Sequence, residues 1–190
     1  MKMSGRDAAR EGHEDGFRTF VETRSAALLR TAVLLTGGDR HAAEDLLQSA
    51  LMTTLGRWHR IEDPEAYVRK VLYRQQIGRW RLKWRRREVS VSEPPEAKAA
   101  EDTVAAADLR LVLRAALGRL TARQRTVLVL RYFEDLPEAE VAAILGCSVG
   151  TVRSTTHRSL ARLRTLAPEL ASLAPAVDES VHPRPLEVGP

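Results

Sequence analysis

At 190 residues and a formal net charge of +5, the chain has room for one domain or two small ones and suits an anionic partner. Almost all of its positive charge is arginine, whose planar fork matches phosphate groups and guanine edges in a way that lysine cannot. A lone cysteine, Cys147, excludes an internal disulfide and has no metal-ligand spacing around it. No apolar run approaches the roughly 18 residues that span a membrane, and the opening MKMSGRDAAREGHED lacks a secretion signal, so the cytoplasm is the expected location.

Few segments alternate with period 2, which predicts an all-α fold. Residues 1–13 are expected to be disordered. A first helix is predicted over about Asp15 to Leu35, with Phe17, Phe20, Val21, Ala27, Leu28, Ala32 and Leu35 as its apolar stripe, stopped by Thr36-Gly37-Gly38-Asp39. A second is predicted from Arg40 to Arg57, with Ala43, Leu46, Leu47, Ala50, Leu51 and Leu55 facing the core. Asp63 is placed to cap a third helix, with Pro64 in the first turn where its missing N–H costs nothing; that helix continues to about Arg87. These helices delimit a domain over 14–87. Residues 88–107, rich in Glu, Ser, Pro and Ala and broken by Pro94-Pro95, read as a flexible linker. A helix over about Asp108 to Leu120, one capped by Thr121 and running to Phe133, and a final helical pair form a second domain over 108–166. Residues 167–190, with five prolines and few large apolar side chains, are expected to be disordered. The core is thus expected to be split between two small helical domains.

Two segments carry the chemistry. In LPEAEVAAILGCSVGTVRSTTHRSLARLR, the helix over 138–145 is stopped by Gly146, Cys147-Ser148 makes a tight turn, and a second helix runs from about Val149 to Arg164. Val149, Val152, Leu160 and Leu163 recur at helical spacing, and no acid interrupts Arg153 to Arg158. This is the pattern of a helix-turn-helix whose second helix enters the DNA major groove, with Cys147 filling the small corner between the helices. Upstream, Arg69 to Arg87 holds nine basic residues and no acid, with Tyr67, Tyr73, Trp80 and Trp84 interleaved. A solvated face normally mixes charge signs; an unrelieved basic run with aromatics suits nucleic acid, the arginines holding phosphates and the rings stacking on unpaired bases. Trp80 and Trp84 are equally compatible with core positions. Two unlike DNA-binding surfaces on one chain suggest two separated sequence elements read together. A simple operator-binding regulator accounts only for the helix-turn-helix. His41, Glu44 and Asp45 could sit on one helix, but no nucleophile motif, phosphate loop or metal spacing accompanies them, so no catalytic site, cofactor or metal is expected.

AAEDLLQSALMTTLGRW, DPEAYVRKVLYRQQIGRW and LTARQRTVLVLRYFEDLPEAEVAAILGCSVGTVRSTTHRSLARLR stand in an order that resembles the extracytoplasmic-function sigma factors of bacterial RNA polymerase, closest to the actinobacterial SigE-like group. The resemblance covers about residues 15–165. It implies a region 2 domain and a region 4 domain, each contacting core polymerase (the β′ clamp coiled coil and the β flap) and promoter DNA. By position, Ala43, Glu44, Asp45, Leu46, Leu47 and Gln48 match the segment that docks on the clamp coiled coil, with Leu46 and Leu47 facing inward. Tyr67, Arg69, Lys70, Tyr73, Arg74, Arg79, Trp80, Arg81, Lys83, Trp84, Arg85 and Arg86 match the segment that reads and melts the −10 element. Ser148, Thr151, Arg153, Ser154, Thr155, His157, Arg158 and Arg162 match the −35 reader. Arg74 stands where many members have Asn, Thr155 where Arg is common and His157 where an aromatic is frequent, so the promoter sequence does not transfer. Relatives are often held inactive by an anti-sigma factor.

Overall fold

A computed structural model describes the backbone of residues 5–87 and 105–168, and the side chains of 14–82 and 110–168. Most of the linker, nearly all of the tail and the side chains of Lys83, Trp84, Arg85 and Arg86 lie outside the described residues. Among the described residues every regular element is helical: α1 (Gly5–Thr36), α2 (Arg40–Leu55), α3 (Pro64–Arg87), α4 (Ala105–Gly118), α5 (Ala122–Leu128), α6 (Glu138–Leu145) and α7 (Val149–Leu166).

The stop signals act as their chemistry dictates. Gly37 and Gly38 take positive φ of 77° and 91° and end α1. Asp63 accepts the Ala66 N–H at 3.0 Å to start α3. Thr121 and Gln124 form a reciprocal capping box on α5. Gly146, left-handed at φ 62°, ends α6, and Ser148 caps α7.

Three boundaries differ from expectation. Helix α1 begins ten residues ahead of Asp15, because residues 5–13 are largely good helix formers with no proline to stop them. The expected disorder there is therefore corrected to helix from Gly5 onward. Helix α2 ends at Leu55, and a 3₁₀ turn over Trp58–Arg60 follows. Trp58 packs on Phe17 and Phe20, with ring centroids 5.2 and 5.3 Å away, and so clamps the α2–α3 connection to α1. The helix expected to reach Phe133 instead widens into a π-helical turn over Val129–Phe133.

The main core is continuous across both halves. Leu28, Leu35, Leu46, Val68 and Leu72 of α1–α3 join Val127, Leu130, Val141, Leu145 and Val152 in one cluster. A smaller cluster of Leu117, Leu120 and Leu128, flanked by Leu160, Leu163 and Leu166, belongs mainly to the C-terminal half. The expectation of a split core holds only for this second cluster. Each half alone is small and buries a modest fraction of its surface, and docking them together adds to it. Polar ties reinforce the junction: the Gln76 amide donates to the Leu35 carbonyl at 2.9 Å, and Arg125 donates to the same carbonyl at 3.0 Å.

Candidate nucleic-acid interface

Helix α7 turns two different faces to its surroundings. Val152, Thr155, Thr156 and Ser159 point inward, and Ser159 returns its hydroxyl to the Thr155 carbonyl at 2.6 Å. The inner face is thus built from small hydroxyl residues that let α7 lie close to α5 and α6, and Val149, expected on the apolar stripe, is 38% exposed. Thr155, matched by position to the −35 reader, is buried and cannot reach DNA in this arrangement. Arg153, Ser154, His157, Arg158 and Arg162 all lie exposed. The spacing 154, 157, 158 and 162 keeps them on one side of the helix. Ser148 and Thr151 occupy its N-terminal turn, their hydroxyls 2.9 Å apart, where the first turn carries no acid. A helix start of that kind favours a phosphate. Arg153 is lightly tethered, pairing with Glu138 at 2.9 Å while its own side chain stays 73% exposed.

Helix α3 presents Lys70, Arg74 and Arg81 to solvent, with Tyr67, Arg69, Arg79 and Trp80 half-buried. Tyr73, a candidate stacking ring, is 3% exposed; its place in the core corrects that expectation for the closed arrangement. Trp80 packs against the main core, and its indole Nε1 is buried without a hydrogen-bond partner. The core alternative therefore describes Trp80. Arg69 pairs with Glu65 at 2.8 Å and with Glu134. Burial works against its charge, but the hydrogen bonds it donates to the two carboxylates carry its pKa above the ordinary arginine value.

Beside the start of α3 lies a cleft of about 550 Å³, lined by Arg57, Arg60, Tyr67 and Lys70 together with Glu62 and Asp63. Arg57 and Arg60 are exposed cations outside the expected site. The only sequence signal for them is GRWHRI, two arginines bracketing Trp58 immediately before the basic helix.

Helix α2 exposes Glu44, Asp45 and Gln48 and buries Ala43, Leu46 and Leu47. The last two face inward as expected; all three buried residues set the helix rather than touch a partner. Glu44 holds Arg40 at 2.9 Å. Met52 and Leu55 continue this outward strip, 65% and 41% exposed, although the periodicity assigns Leu55 to the core. Among the described residues, no group of His, Cys, Asp and Glu could hold a metal ion, and no helix is long and apolar enough to cross a membrane.

Residues 110–163 match the family described as Sigma-70, region 4. The chain is 44% identical over 151 residues to the RNA polymerase sigma-E factor of Streptomyces coelicolor, covering 78% of this chain and 84% of that protein. It is 32% identical over 160 residues to the ECF RNA polymerase sigma factor SigL of Mycobacterium tuberculosis, covering 80% and 89%. Among solved structures it is similar to the sigma factor RpoE of Bartonella quintana, crystallised with the anti-sigma factor NepR. That match has a TM-score of 0.58 and 27% identity, and covers 80% of this chain and 96% of that one.

Proposed function

This chain belongs to the extracytoplasmic-function sigma factors of bacterial RNA polymerase, and on that premise we propose how its surfaces divide the work of starting transcription. As a sigma factor it binds core RNA polymerase and directs it to promoter DNA. The work is done in the cytoplasm by binding alone, with no catalytic residue of its own.

The division rests chiefly on one observation: α3 and α7 each expose a cationic face, whereas α2 exposes a face that combines carboxylates with Met52 and Leu55. In this reading Glu44, Asp45 and Gln48 dock on the β′ clamp coiled coil, where carboxylates steer a basic partner and the apolar strip supplies contact area. Lys70, Arg74, Arg79 and Arg81 follow the −10 strand. The Arg57–Arg60–Tyr67 cleft receives an unpaired base, held by a ring face and flanking cations. Arg153, Ser154, His157, Arg158 and Arg162 address the −35 element, with Arg153 and its neighbours nearest the base edges. Region 4 also meets the β flap, and an anti-sigma factor is a further partner of the same two domains.

The variant Glu44→Arg with Asp45→Arg tests the docking assignment. Both side chains are exposed and Glu44 carries only a surface ion pair, so the fold should be unaffected. Co-elution with core polymerase should weaken by about 2 kcal/mol or more, roughly 30-fold, with the helical circular dichroism unchanged. Undiminished co-elution would remove α2 from the docking surface.

A further inference from the structure

We propose that in the free protein region 4 masks the −10 surface of region 2, the Glu134 carboxylate occupying on Arg69 the place a DNA phosphate takes in the promoter complex. The proposal rests on the assignment of α3 to the −10 element.

Glu134 directly follows the π-helical turn, and its side chain is only 3% exposed. It is buried not within its own half but against the other one. Thr31 of α1 donates its hydroxyl to the Glu134 carboxylate at 2.9 Å, and Arg69 of α3 pairs with the second oxygen. Tyr73 of α3 lies against the same carboxylate, and burial, reinforced by that carboxylate, pushes the phenol well above its ordinary pKa. One carboxylate from region 4 thus engages a cation and a ring that match the −10 segment by position.

A second contact repeats the pattern. Arg81 of α3 donates to the Leu145 carbonyl at 2.8 Å, at the C-terminus of α6, where a helix presents its negative end. Gly146 follows without a side chain; a Cβ there would stand 3.5 Å from the Arg81 guanidinium. A carboxylate and a helix end of region 4 each sit on an arginine of α3. The junction mixes such ionic contacts with apolar packing, as interfaces that open and close do. Core polymerase holds region 2 and region 4 on separate sites, the clamp and the flap, and so draws the two faces apart and frees Arg69, Tyr73 and Arg81 together.

The test uses the full chain. If about nine-tenths of the free protein is closed, apparent affinity for single-stranded DNA is reduced about tenfold. Glu134→Gln should enlarge the radius of gyration measured by X-ray scattering and tighten binding of a labelled mixed-sequence single strand by about that factor. Glu140→Gln makes the same charge change at an exposed site on α6 and should do neither. Thr31→Val removes one tie while keeping the side-chain shape and should move both readouts in the same direction, which guards against misfolding of the first variant. Run-off transcription by reconstituted holoenzyme should match wild type for Glu134→Gln, since the faces are already apart there. A wild-type protein already extended in solution, or a Glu134→Gln protein as compact as wild type, would overturn the latch. Opening without any gain in DNA binding would overturn the masking and with it the assignment of α3 to the −10 strand.

Discussion

Arg125→Ala should lower the unfolding free energy by about 2–4 kcal/mol, the largest single-residue loss of stability expected outside the apolar core. Arg125 is 8% exposed, and among the described residues no carboxylate pairs with it. Its guanidinium instead donates to the Leu35 carbonyl at 3.0 Å and to those of Leu117, Gly118 and Leu120 at 2.9, 3.3 and 3.4 Å. Leu35, Leu117 and Gly118 supply the last carbonyls of α1 and α4, which lack partners within their helices and carry the negative end of the helix dipole, and Leu120 lies just beyond α4. Burial lowers the Arg125 pKa to about 10, still far enough above neutrality to keep the group charged. The chain is shaped around it: a Cβ on Gly37 would lie 2.3 Å from the guanidinium, so glycine is required there for space as well as for its positive φ. Truncation removes the donor that the Gly118 and Leu120 carbonyls share, leaves the Leu35 carbonyl with Gln76 alone and opens a void at the junction of the two halves. Arg125→Lys should recover only part of the loss, because one ammonium cannot span both helix ends. Urea unfolding followed by circular dichroism reads the effect directly. A midpoint unchanged in Arg125→Ala would mean that water satisfies these carbonyls equally well.

The second large effect is on promoter opening. Separating the strands costs on the order of 1.4 kcal/mol per base-pair step, and a protein without ATP hydrolysis can offset this only by holding the single strand more tightly than the duplex. Changing Arg74, Arg79 and Arg81 together to Ala removes three cations of α3. Arg74 and Arg81 are exposed; Arg79 is half-buried and also reaches the Ala42 carbonyl at 3.3 Å. At about 1 kcal/mol per contact, open-complex formation should fall by roughly 3 kcal/mol, or about 150-fold. The salt dependence of single-strand binding should flatten by about 2 in log–log slope. Permanganate-reactive thymines near the start site should fade while the closed complex persists, and a template with a pre-melted bubble should restore transcription. Failure of the bubble to rescue, with closed complexes intact, would take the melting function away from α3.

Much of this was legible from residues alone. Helix ends marked by local chemistry (Gly37-Gly38, Asp63-Pro64, Thr121, Gly146 and Ser148) fall where composition and capping place them, because each depends on a few neighbouring atoms. The inward positions Ala43, Leu46, Leu47 and Ala50 of α2 followed from periodicity. Contacts made across the chain did not. Nothing near Glu134 in sequence announces that Thr31 and Arg69 surround it, and Tyr73 reads as an exposed ring until the fold buries it against Glu134. Leu55 fits a core stripe, yet α2 ends just where the stripe would turn under. Thr155, Thr156 and Ser159 read as a polar outer face, although close helix packing favours small hydroxyls inside. Arg57 and Arg60 lie in a connection with no periodicity, so only the folded cleft brings them to Tyr67.

The most direct measurement is to sequence the 5′ ends of transcripts made by core polymerase on a library of genomic fragments, with and without this protein. The prediction is a set of sharply defined starts that appear only with the protein and share two sequence elements upstream, one for α3 and one for α7. Starts distributed as they are with core polymerase alone, or sharing no element, would contradict the account.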